Sequence, residues 1–333
     1  MSLSNLFQRL PLGARPRLPG FAGATAWLNT EPLTPAALEG KVVLVDFWTL
    51  TCINWIRTLP YVRAWAEAYG GHGLVVVGVH TPEFDLEHDV DEVRRAARHF
   101  RFDQPIAVDN DYAVWEAFAN RYWPAVYIAD AEGRIRHEHF GEGGYERSEE
   151  VVRQLLAEAG VADLPDRIPP VEAQGIEAPA DWDDLGSPET YLGLGRSQGF
   201  ASPGGGVFDQ ARVYAAPPHL DRNEWALTGN WTLRREEAWL NQANGRITLR
   251  FHARDVNLIL APGSDGSPVR FRVRLDGDRP GAAHGVDVTD DGAGVVRELR
   301  LHQLIRQSPP IGDRALDIEF LDAGVGALCF TFG

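Results

Sequence analysis

The sequence predicts two domains of different class: a three-layer α/β/α domain over residues 21–160 and an all-β, jelly-roll-like sandwich over residues 187–333. Three observations carry that reading. In the first half, short apolar runs rich in β-branched residues alternate with stretches of helical period. Across residues 161–186 the periodicity fails and Pro165, Pro169, Pro170 and Pro179 gather, the pattern of a semi-extended linker. Beyond it come many short alternating runs divided by turn dipeptides. A chain of 333 residues is long enough to bury a core in each domain, and residues 1–20 are read as an N-terminal arm.

Lys41 to Trp48, KVVLVDFW, is too short for a helix and apolar enough for a strand buried on both faces. From Ile53 to Tyr69, the residues Ile56, Leu59, Val62, Ala66 and Tyr69 recur at helical spacing, with a kink expected at Pro60. Leu74 to Val79 is a second buried strand, and Glu87 to Phe100 places Val90, Val93, Ala96 and Ala97 on one helical face. Pro105 to Val108 is a short strand, and the segment from Asp109 to Tyr112 supplies capping residues for a helix around Tyr112 to Asn120. Ala125 to Ala129 and Ile135 to Phe140 form a hairpin about Glu132-Gly133, and Glu149 to Ala159 closes the domain as a helix. In the second half, runs such as Ile247 to Phe251, Val256 to Leu260, Val269 to Leu275, Ala315 to Phe320 and Leu328 to Phe332 are separated by Pro262-Gly263, Asp265-Gly266 and Asp276-Gly277.

Chemistry is expected at Cys52. It stands between the Lys41–Trp48 strand and the helix beginning at Ile53, and therefore at a helix N-terminus. There the free N–H groups and the positive end of the dipole stabilise a thiolate. The surrounding residues, Phe47-Trp48-Thr49-Leu50-Thr51-Cys52-Ile53-Asn54, resemble the thioredoxin superfamily, and within it the thiol–disulfide oxidoreductases whose active site reads FWTYTCINC. Asp46 lies where that family keeps a buried carboxylate and Pro60 where it keeps a helix-kinking proline. Trp123-Pro124 precedes a strand, as does the family's cis-proline that faces the cysteine. The resemblance covers roughly residues 20 to 160 and implies a thioredoxin fold with Cys52, Asp46, Thr49 and Thr51 as catalytic candidates. It also implies a substrate groove shaped by Trp55, Trp123 and Pro124.

The departure from the family is one residue. Trp55 stands where the resolving cysteine is expected, so exchange cannot be completed within the motif. Cys329, the other cysteine, lies in an apolar run near the end of the chain and reads as core. Turnover on protein disulfides or oxidised and glutathionylated thiols thus calls for glutathione, another external thiol or a partner protein. A one-cysteine peroxidase passing through a sulfenic acid is a second reading. Thr49 is similarly placed to the threonine of peroxiredoxins, though Val45 occupies the place of their proline. A third reading is a peptide- or glycan-binding protein on the same scaffold. Asp46, if buried, has a raised pKa and either relays protons or is merely hydrogen-bonded in place. Thr49 and Thr51 either bond the thiolate or cap the helix. Trp55 either narrows access to the thiol or fills the space left by a cysteine.

A formal charge of -15 argues against nucleic-acid or anionic-membrane binding, and Lys41 is the only lysine among 32 basic residues. No cofactor or metal is expected. Gly195 to Gly199 fits a nucleophile elbow but lacks its strand-to-helix setting. Asp287, Thr289, Asp291, Gly292 and Glu298 match part of a calcium loop in what reads as a hairpin. His137 and His139 share a strand face read as a solvated edge. The second domain is similar in plan to the carbohydrate-binding-like module of some thiol oxidoreductases, where Trp225, Trp231 and Trp239 are candidate sugar-stacking residues, with a core role as the alternative. The N-terminus lacks a continuous apolar segment, no run approaches a membrane span, and the two widely separated cysteines suit a reducing compartment. The chain is accordingly expected to be cytoplasmic, with a removed leader or membrane domain left open.

Overall fold

Val42–Trp48, all seven residues of it buried, forms the strand around which the first part of the chain is built. The computed structural model describes residues 16–263 and 265–333. They divide into two units, the first ending at Glu177 and the second beginning at Ala178. Of the N-terminal arm, residues 1–15 lie outside the described residues.

The first unit holds a six-stranded sheet in the order β1-β4-β3-β2-β5-β6. Its strands are β1 (Ala26–Leu28), β2 (Val42–Trp48), β3 (Leu74–His80), β4 (Ile106–Val108), β5 (Ala125–Ala129) and β6 (Ile135–Phe140). Strands β2, β3 and β4 run parallel, while β1, β5 and β6 pair antiparallel with their neighbours. The helices are α1 (Pro35–Leu38), α2 (Ile53–Tyr69), α3 (Val90–His99), α4 (Ala113–Ala117) and α5 (Tyr145–Glu158). The connections β2–α2–β3 and β3–α3–β4 step across the sheet in one direction, so the right-handed crossover places α2 and α3 on the same face. The connection through α4 steps back. Accordingly Val114 and Phe118 pack with Leu38, Val43, Val45, Phe47, Val77 and Val79 on the opposite face, completing a thioredoxin-like three-layer domain.

Two helices differ from expectation, and both differences are local. The segment expected to be helical from Glu87 is broken into a 3₁₀ turn, Asp85–His88, and α3, because the Asp89 side chain accepts from Asp91 N at 2.8 Å and starts a new helix there. Residues 112–120 form only the short α4; the Asp109 carboxylate accepts from Val114 N and Trp115 N, each at 2.8 Å. The expected solvated edge at His137 is covered, since His137 and Glu138 are buried and His137 Nε2 lies 3.3 Å from the Ser148 hydroxyl on α5. The proline-rich stretch is tied down within the first unit. Ile168 N donates to Glu149 at 2.8 Å, and Arg63 pairs with Glu177 at 2.7 Å.

The second unit is an antiparallel sheet of eleven strands. They are β7 (Thr190–Tyr191), β8 (Ala211–Tyr214), β9 (Trp225–Leu233), β10 (Ala238–Leu240), β11 (Gly245–His252), β12 (Asp255–Pro262), β13 (Val269–Leu275), β14 (Ala293–Val296), β15 (Arg300–Arg306), β16 (Asp313–Phe320) and β17 (Val325–Phe332). The main path runs β14-β13-β16-β11-β9-β10-β17-β12-β15, with β7 on β17 and β8 on β9. The two layers of the sandwich are thus one sheet curled on itself. Leu249, Phe271 and Ile318 from one half share a core with Leu258, Leu304 and Phe330 from the other. β9 makes the turn between them: Trp225 to Thr228 pair with β11, and Trp231 to Leu233 pair with β10. Between these stretches Gly229 has φ of 99°, and a Cβ there would stand 3.0 Å from the Gly245 backbone, so glycine is required.

Candidate active site

Cys52 is the N-cap residue of α2, with extended backbone and a partly exposed side chain, and no side chain caps the helix. Its carbonyl accepts the first helical bond, from Ile56 N at 3.0 Å, and its N–H donates to Thr49 O at 3.2 Å. The strand-to-helix turn expected from the sequence is therefore present, with the sulfur at the positive end of a 17-residue helix.

Trp55, one turn into α2, is fully buried. Its indole N–H donates to Asp46 Oδ2 at 2.9 Å. The ring stacks on Trp48, centroids 4.3 Å apart and planes 21° apart, and meets Phe100 and Phe102 edge-on. The ring therefore lies in the core and not on the surface of the site. Asp46 is sealed beneath it; burial pushes its pKa up to about 7, and the bond from Trp55 offsets part of that rise. Its Oδ1 has no partner among the described residues. His80, at the end of β3, meets Trp48 edge-on and is itself buried, and burial lowers its pKa to about 3, so it is neutral.

Thr49 and Thr51 do something the sequence did not suggest. Neither caps α2. Both hydroxyls donate to the carboxylate of Glu87, each at 2.6 Å, and Thr51 N joins them at 3.3 Å. From its own turn Glu87 also accepts Glu83 N at 2.6 Å and Phe84 N at 3.0 Å. Glu87 is buried, and burial raises its pKa against the opposing pull of the threonine hydroxyls. Its place in a polar stretch, PEFDLEHD, reads as solvated. The available signal was two threonines beside a buried helix start, both needing an acceptor.

The peptide Trp123–Pro124 is cis. The β2–β5 register pairs Phe47 with Ala125, so one further step sets Pro124 beside Trp48 at the end of the sheet where Cys52 follows. Pro124 is buried, Trp123 is partly exposed with its ring 4.3 Å from that of Trp115, and Tyr122 is 54 % exposed. Asp46, Thr49, Thr51, Cys52, Trp55 and Pro124 thus gather around the C-terminal end of β2. The sugar-stacking candidates do not gather in the same way. Trp225 and Trp231 are fully buried, with indole N–H groups bound to Gln198 O and Thr228 O, so they are core residues; Trp239 is partly exposed with the Arg234 guanidinium 4.8 Å from its ring centre.

Known proteins match both parts of the chain. A family model described as the thioredoxin-like C-terminal domain matches residues 187–333. Protein DipZ of Mycobacterium bovis is 38% identical over 301 residues, which cover 85% of this chain and 41% of that protein, so the chain spans about two fifths of the length of this relative. The thiol-disulfide oxidoreductase YkuV of Bacillus subtilis is 34% identical over 144 residues, 43% of this chain and 97% of YkuV. A solution structure of a thioredoxin-like protein in the oxidised form is 36% identical, covering 43% of this chain and 97% of that one, with a TM-score of 0.40. With a β2–α2 turn bearing Cys52 and nearly the whole of one such oxidoreductase matched, the chain belongs to the thioredoxin-like thiol–disulfide oxidoreductase family, its first unit followed by a β domain.

Proposed function

We propose that the protein is a monothiol member of its family, exchanging disulfides through Cys52 alone. The observation that carries this is Trp55: it occupies the resolving position as a fully buried ring hydrogen-bonded to Asp46, while Cys52 on the turn before it is partly exposed. Cys329 is buried on β17, where inertness is the rule for a thiol. In the proposed cycle the Cys52 thiolate attacks the glutathione sulfur of a glutathionylated protein thiol, forming a Cys52–glutathione disulfide and expelling the substrate sulfur as a thiolate. A second glutathione thiolate then attacks the glutathione sulfur of that intermediate, releasing Cys52 as thiolate and leaving as oxidised glutathione. The partly exposed Trp123 and Tyr122 and the end of β5 offer a peptide substrate its wall and its backbone partners.

The test is adduct trapping on the full chain. Given a glutathionylated peptide without free thiol, the parent should accumulate a single adduct at Cys52, which excess glutathione then clears. Cys52→Ser should form none. Trp55→Cys should convert the adduct to an internal disulfide. Absence of any adduct at Cys52 in the folded parent would refute the monothiol cycle.

A further inference from the structure

We infer that the Glu87 carboxylate restrains the ionisation of Cys52 and so sets the pH at which the site becomes nucleophilic. This deepens the proposed function and rests on Cys52 being its nucleophile.

The argument begins with proton counting. A threonine hydroxyl has one proton to donate. Thr49 and Thr51, both buried, each donate it to Glu87 at 2.6 Å, so neither has a proton to offer a neighbouring sulfur anion. Three further donors, the N–H groups of Thr51, Glu83 and Phe84, are backbone groups that cannot turn away. Five hydrogen bonds converge on these two oxygens, an arrangement that favours the ionised carboxylate and opposes the rise in pKa that burial causes. That charge is held by Thr51, the residue immediately before Cys52, in a place closed to water, where screening by salt is weak. A like charge held next to the residue that precedes a cysteine disfavours its thiolate. The N-terminus of α2 favours it. The two influences oppose one another across the same sulfur, and only one of them is a side chain that substitution can remove.

Titratable groups also flank the carboxylate and the start of α2. Glu83, on the same turn as Glu87, adds like charge. Asp46 on β2 is bound by Trp55, and His80 at the end of β3 is neutral. Arg57, further along α2, is matched by Glu142 at 3.2 Å.

The experiment is the rate of iodoacetamide alkylation against pH for the full chain, with Cys52→Ser subtracted to remove any contribution from Cys329. Glu87→Gln should lower the midpoint by about one pH unit, the size expected for removing a nearby like charge. Thr51→Val, which leaves the carboxylate in place, should not raise the midpoint, because its hydroxyl was never a donor to sulfur. A folded Glu87→Gln protein with an unchanged or raised midpoint would overturn the inference. So would a raised midpoint in Thr51→Val, and that variant decides the matter if Glu87→Gln fails to fold. Alkylation needs no disulfide substrate, so a failed turnover assay and an unshifted midpoint are separate results.

Discussion

Trp55 supplies Asp46 with a hydrogen-bond donor in a place water does not reach, and the carboxyl group still retains its proton far above the ordinary carboxylate range. This has a sign for stability. With a folded pKa of about 7 against an unfolded value of 3.8, the native state holds one more proton than the unfolded chain between those limits. Asp46 therefore favours folding below about pH 4, and that contribution is lost as pH rises through 7. Asp46→Asn removes the dependence. Its thermal stability relative to the parent should improve between pH 4 and pH 8 by up to ~4 kcal/mol, measured as the change in Tm difference. Parallel curves for the two proteins would mean that Asp46 is ionised throughout. Asp46 and Trp55 were both legible as residues that matter, but their bond was not: a tryptophan at a cysteine position announces a missing thiol, and only packing shows where its N–H points. Glu87 escaped notice for a related reason, its hydroxyl partners lying 36 and 38 residues earlier in the chain.

Elements whose burial is uniform were read to within a residue or two. β2 is buried on both faces and α2 keeps a helical apolar period to Tyr69, so both announce themselves locally. α3 was misjudged at its start because the side-chain cap at Asp89 overrides the apolar pattern there, whereas α4 starts beside the expected Asp109 cap and ends three residues early. The three-residue β1 was missed altogether, since so short a run owes its conformation to the partner β4 across the register. In the second unit five strands were named from short apolar runs, β11 and β13 with clear alternation, but alternation says nothing about whether two layers are joined. The joint is Gly229. Gly229→Ala should cost the second unit about 2 kcal/mol, through a left-handed backbone imposed on a side chain and a close approach to Gly245. Calorimetry of the full chain should show the transition of the second unit lowered and that of the first unmoved.

For the whole molecule, two units each enclose their own hydrophobic core. Among the described residues, no helix is long and apolar enough to cross a membrane. The first unit is organised about a strand in the middle of a sheet, whereas the second is organised about a strand that belongs to both of its layers. β9 hydrogen-bonds to β11 at one end and to β10 at the other, with β8 alongside. Neither layer can peel away without stripping bonds from β9. Its amides from Trp225 to Leu233 should accordingly be the last in that unit to exchange with deuterated solvent, at a rate set by opening of the entire unit rather than by fraying from an edge. The same strand would be the mechanical clamp of the domain, the point where a pulling force along the chain meets its steepest resistance.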